Sequence, residues 1–130
     1  MDEQAKRILL VDDEPDVLEI CSRALTRAGY EVRAAAGASQ ARDYLAQERF
    51  DLAVLDIHMP DEDGISLLEH AHSVDPSLTA VLITGYPAVS TVLDSVRLNV
   101  HEFLVKPFTL QRLLQVVASG LAASSEQNKP

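Results

Sequence analysis

Hydrophobic residues follow two alternating rhythms along this chain. Arg7-Ile8-Leu9-Leu10-Val11, Leu52-Ala53-Val54-Leu55 and Leu78 to Ile83 are short apolar runs with the length and branching of strands buried on both faces. Between these runs, apolar residues recur every three or four positions, as on one stripe of a helix. Val17, Leu18, Cys21, Ala24, Leu25 and Ala28 follow Pro15, which suits a first helical turn, and Gly29 supplies a stop. Glu31 to Ala35 predicts a weaker strand, placed at a sheet edge because its alanines are poor strand formers. Ser39 to about Gln47 predicts a helix with Ala41, Tyr44 and Leu45 inward. Ile65, Leu67, Leu68 and Ala71 form the next stripe, ended by Asp75-Pro76. Pro87 can open a further helix with Val89, Val92, Leu93 and Val96 at helical spacing, before a last short strand, Glu102-Phe103-Leu104-Val105. Thr109 then caps a final helix with Leu110, Leu113, Leu114, Val117 and Leu121 on one face.

Five repetitions of strand then helix require crossovers, so the pattern predicts a doubly wound α/β domain: a five-stranded parallel sheet with five helices on its two faces. The domain is expected over residues 1–121, with 122–130 a polar tail or the start of a linker. A chain of 130 residues, 47% hydrophobic and 24% charged, fits one globular core. No apolar stretch approaches the roughly 18 residues of a membrane span, and Met1-Asp2-Glu3-Gln4 lacks the parts of a signal peptide, so a cytoplasmic location is expected. The net charge of -9 argues against direct binding to nucleic acid or to an anionic membrane. The lone Cys21, set among helical apolar positions, reads as an inert core residue.

The chemistry gathers where strands end. Asp12 and Asp13 follow the first run, Asp56 closes the third, Thr84 follows the fourth and Lys106 the fifth. Open α/β sheets bind ligands outside the carboxyl ends of their strands, so these residues belong to one rim. Two unit charges about 4 Å apart repel by about 4 kcal/mol at an effective dielectric of 20, so a cation or protonation must relieve the acids. Magnesium is the natural candidate, since it takes hard oxygen ligands from one or two carboxylates and from phosphate. Lys106 and Thr84 would receive an anionic group beside Asp56. Neither GxxxxGK[ST] nor a GxGxxG turn is present, which disfavours ATP binding and leaves attack by Asp56 on a carried-in phosphoryl group, giving an aspartyl phosphate.

These residues stand in named stretches: Leu10-Val11-Asp12-Asp13-Glu14, Leu55-Asp56-Ile57-His58-Met59-Pro60 with Asp63-Gly64, Ile83-Thr84-Gly85, and Phe103-Leu104-Val105-Lys106-Pro107-Phe108. In that order and spacing, residues 6 to 121 resemble a response-regulator receiver domain of two-component signalling, similar to the chemotaxis regulators. The resemblance implies a flavodoxin-like sheet of order 2-1-3-4-5. It makes Asp56 the phosphoacceptor, Asp13 a direct Mg2+ ligand, Asp12 a ligand through water, and His58 a ligand through its backbone carbonyl. Thr84 and Phe103 become switch residues, Lys106 the partner of a phosphoryl oxygen, and Lys106-Pro107 a cis peptide bond. The implied partners are a histidine kinase or phosphotransfer protein and a downstream effector domain or protein, with a phosphorylation-dependent homodimer as a further arrangement. They would read the face of the fourth helix, fifth strand and fifth helix.

The chain departs from the family pattern at one turn, and two competing functions stay open. Asn99-Val100, followed by His101, occupy a turn where the family often has Gly-Ala, and His58 and Tyr86 fall at positions that vary in the family and influence how fast the phosphoryl group is lost. His70, His72 and His101 are expected at the surface or rim, and Asp61-Glu62-Asp63 as a solvated turn. One alternative is an aspartyl-phosphate phosphohydrolase, disfavoured because such enzymes often carry a second acid where His58 stands. The other is a receiver-like scaffold that binds partners without phosphorylation.

Overall fold

The computed structural model describes residues 4–86, 88, 94 and 96–127. Its elements are β1 (Arg7–Val11), α1 (Pro15–Arg27), β2 (Glu31–Ala35), α2 (Ala38–Gln47), β3 (Leu52–Asp56), α3 (Gly64–Val74), β4 (Thr79–Thr84), β5 (Glu102–Val105) and α4 (Leu110–Gln127). All strand pairs are parallel and the order is β2-β1-β3-β4-β5, as the resemblance implied, with the alanine-rich strand at one edge. Four helices stand among the described residues; the helix predicted from Pro87 falls largely outside them. Its described end is helical at Asp94, Val96 and Arg97, and Val96 is exposed. Leu98 N–H donates to Asp94 O, and Asn99 then takes a left-handed φ of 56°. Asparagine tolerates that conformation better than most residues, which accounts for its presence at this turn.

Strand alternation splits the core into two layers. Leu9, Val11, Ala53, Leu55, Ala80 and Leu82 pack with Ala38, Ala41, Leu45, Leu67, Leu68 and Ala71 of α2 and α3. Ile8, Leu10, Leu52, Val54, Val81, Ile83 and Leu104 pack with Cys21 and Leu25 of α1 and Leu113, Val116, Val117 and Leu121 of α4. Each fully buried large side chain contributes about 1.5–3 kcal/mol, so β3, buried at every position, anchors the sheet. Cys21 is buried, and burial, aided by the Asp12 charge, pushes its thiol up to about 11, as an inert core residue requires.

Two of the helix stripes differ from the predicted ones. Ala28 is exposed because α1 ends at Arg27 and the chain turns through Gly29 at φ 101°. In α4, Leu110 is 40% exposed while Val116 is buried: the first turn overhangs the sheet and the packed stripe begins at Leu113. Thr109 does cap this helix, its Oγ1 accepting from Arg112 N–H at 3.0 Å. The helix continues to Gln127, with no glycine or proline to interrupt it after Leu121.

Candidate phosphoacceptor and metal site

Parallel register brings the strand exits to one level. Val11 pairs with Leu55, Asp56 with Ile83, and Thr84 with Val105, so Asp12 lies level with Asp56, and Thr84 and Lys106 follow in steps of one residue. Oxygens of Asp12, Asp13 and Asp56 all lie within 4.8 Å of one another, and among the described residues this is the one group of three acidic, His or Cys side chains able to share an ion. Asp12 is fully buried and Asp56 is 3% exposed.

Lys106 closes the cluster. Its Nζ donates to Glu14 Oε1 at 2.6 Å, Asp12 Oδ1 at 3.3 Å and Asp56 Oδ2 at 3.4 Å, and it lies 3.0 Å from Asp12 Oδ2. Burial works to lower the ammonium's pKa, but the bonds to Glu14 and Asp12 and the charges of Asp12 and Asp56 outweigh it and raise the pKa above its ordinary value. Glu14, the acid next to Asp13 in the sequence, is the closest partner of Lys106, across 92 residues of chain. For Asp56, burial and then the Asp12 charge push the carboxyl up to about 6, against the lowering influence of His58 N–H and Lys106. His58 N–H donates to Asp56 Oδ1 at 3.1 Å, while its ring side is exposed.

Alternation places Thr84 and Phe103 toward the opposite layer from the acids. Thr84 is buried, and its Oγ1 accepts from Tyr86 N–H at 3.0 Å; among the described residues it makes no hydrogen bond to Asp56. Phe103 is partly buried against the layer of α2 and α3. Lys106-Pro107 is cis.

Polar groups around the rim and at the far end of the sheet carry tertiary bonds that the sequence does not display. The run Asp61-Glu62-Asp63 is a turn with Asp61 and Asp63 exposed, as expected, and it is also a fastening point. Asp61 accepts from Ala38 N–H and Ser39 N–H, Glu62 pairs bidentately with Arg42, and Asp63 caps α3 by accepting from Ser66 N–H at 2.7 Å. The Asp63-x-x-Ser66 spacing could have disclosed the last of these; the others join residues 20 or more apart. His70, His72 and His101 are half-exposed at the surface, as expected, and two of them also have structural partners: His72 Nε2 meets Leu78 O at 2.9 Å, and His101 Nε2 meets Ser119 Oγ at 2.8 Å. Both contacts lie near the end of the sheet away from the acids.

The donor set fits a hard divalent cation. It is all oxygen, and the buried Asp12 Oδ2 accepts no hydrogen bond from any described residue although Lys106 faces it.

Comparison with known proteins agrees with this geometry. Residues 8–118 match the response regulator receiver domain family, and the chain belongs to that family. It is a phosphoacceptor signalling module, not an enzyme that turns over an external substrate. It is 38% identical over 119 residues to the response regulator receiver protein CpdR of Brucella abortus, covering 92% of this chain and 99% of that one. It is 34% identical over 116 residues to the response regulator protein PilR of Pseudomonas aeruginosa, covering 89% of this chain. The chain spans only 26% of the length of PilR. A CheY-like receiver domain from Methanospirillum hungatei superposes with a TM-score of 0.92 at 32% identity, covering 96% of this chain and 100% of that one. No described helix is long and apolar enough to cross a membrane.

Proposed function

We propose that this domain is a switch set by phosphorylation of Asp56. The observation that carries the reading is the gathering of three carboxylates, with oxygens within 4.8 Å of one another, against a single ammonium at the exits of β1, β3 and β5. The donor would be a phosphohistidine on a histidine kinase or phosphotransfer protein. An Asp56 oxygen attacks phosphorus, the P–N bond breaks, and its electron pair leaves with the imidazole nitrogen, so the phosphoryl group moves without net gain of electrons. A carboxyl lying at about 6 is mostly ionised at neutral pH and is therefore a competent nucleophile. Lys106, already 3.4 Å from Asp56 Oδ2, can pass from that oxygen to a phosphoryl oxygen.

Magnesium would be held by Asp13 and Asp56, by Asp12 through water and by the His58 carbonyl; when bound it would neutralise charge on the transferring oxygens. A phosphoryl group adds about -1.5 to -2 charge. Thr84 would give up its bond to Tyr86 N–H and turn toward it, and Phe103 would follow. The change would then reach the face formed by the predicted Pro87 helix, β5 and α4. An effector domain, a separate effector protein or a second copy of this domain would read that face.

Incubation with a low-molecular-weight phosphodonor and Mg2+ should add one phosphoryl group to the native protein and none to Asp56→Asn, as read by intact mass. Equal labelling of Asp56→Asn would overturn the assignment.

A further inference from the structure

We infer that Asp61 is a positioning residue for the metal and phosphoacceptor site, acting by clamping the loop after Asp56 onto the start of α2. The inference rests on the reading of the site proposed above, and concerns a carboxylate outside the acidic cluster.

The loop between Asp56 and α3 leaves the sheet through Ile57, whose N–H donates to Ile83 O at 2.9 Å, and returns through Gly64, whose N–H donates to Ile57 O at 2.8 Å. Both fastenings are at its base. At its far side the loop is held by Asp61, which accepts from Ala38 N–H at 3.3 Å and Ser39 N–H at 3.1 Å, and by Glu62, which pairs with Arg42 of α2. The helix depends on the loop in return. The residue preceding α2 is Gly37, which has no side chain to cap the helix, and Asp61 supplies the missing acceptor from 22 residues away. A Cβ on residue 37 would lie 3.1 and 3.3 Å from the two Asp61 oxygens, so glycine leaves room for this approach. The two N–H bonds hold the Asp61 carboxyl below its ordinary range, as a cap that favours the charged form should.

The clamp reaches the acids from two sides. The loop carries His58, whose N–H already orients Asp56 Oδ1. The other end of the clamp joins α2 to β2, whose Ala35 O accepts from Asp12 N–H at 3.1 Å. Asp61 thus ties the segment holding one side of the site to the segment holding the other. Releasing it frees the His58 carbonyl and the Asp56 carboxylate to drift apart, and binding that needs both in register weakens.

The test compares Asp61→Ala, Asp61→Asn and Asp51→Ala. Asparagine can still cap a helix. Asp51 accepts from Arg7 N–H at 2.8 Å at the opposite end of the sheet, so its removal costs a comparable bond away from the site. Mg2+ affinity is measured by titration calorimetry, labelling rate with a small phosphodonor, and stability by urea unfolding. Asp61→Ala should weaken Mg2+ binding by about threefold or more, Asp61→Asn, which keeps one acceptor oxygen for one of the two N–H groups, should restore part of it, and Asp51→Ala should leave it unchanged. Because coupling is reciprocal, Mg2+ added to the native protein should also slow hydrogen exchange at the Ala38 and Ser39 amides, a readout that needs no variant to fold. Unchanged Mg2+ affinity in Asp61→Ala, or exchange at those amides indifferent to Mg2+, overturns the inference while leaving the phosphoacceptor reading intact. Failure of the native protein to bind Mg2+ at all overturns both.

Discussion

Replacing Asp56 by asparagine should make the metal-free protein more stable at neutral and alkaline pH, and geometry sets the size of the effect. At an effective dielectric of 20, two carboxylates at the 4.8 Å limit repel the Asp56 charge by about 3.5 kcal/mol each. The Lys106 ammonium at 3.4 Å returns about 5 kcal/mol. The balance is about 2 kcal/mol against the ionised form. Displacement of the carboxyl from 3.8 to about 6 implies a similar figure, about 3 kcal/mol at 1.36 kcal/mol per tenfold. A carboxyl whose folded pKa lies above its unfolded one contributes stability that is present below the unfolded value and lost as pH rises through the folded value. The native protein should therefore lose about 2 kcal/mol between about pH 4 and pH 6 that Asp56→Asn retains. Urea unfolding in EDTA reads this as a midpoint gap of about 1 M at pH 8, closing near pH 4, for a slope of about 2 kcal/mol per M. Taking the difference between the two proteins cancels the titration of other groups. A variant less stable than the native protein at pH 8, or a gap that does not change with pH, would refute the electrostatic account.

Two further outcomes follow from the same site. Lys106→Ala should shift stability in the opposite direction, by about 3 kcal/mol at pH 8, because it leaves buried Asp12 and Asp56 uncompensated, with a smaller loss near pH 4; urea unfolding in EDTA again reads it. Gly64→Ala should cost about 2 kcal/mol or more and weaken Mg2+ binding by calorimetry. A Cβ there would press on the Asp56 carbonyl oxygen and lie 2.9 Å from the Ile57 Cα, displacing backbone that holds the acids.

What the chain alone determined is the framework and the acids. Apolar runs buried on both faces can only be parallel strands between crossover helices, so their exits had to share a rim, and Asp12, Asp13, Asp56, Thr84 and Lys106 were readable there. Local rules also carried the cap at Thr109 and the stop at Gly29. Tertiary structure decided how that rim is held together. Glu14 reaching Lys106, Asp61 capping α2 and Glu62 gripping Arg42 join segments 20 to 92 residues apart. Their residue types carry no mark of such partners, since an acid in a turn reads the same whether it meets water or a distant helix. The separation of Thr84 and Phe103 from the acids is likewise a product of strand alternation in assembled register, which places neighbours in sequence on opposite layers of the sheet.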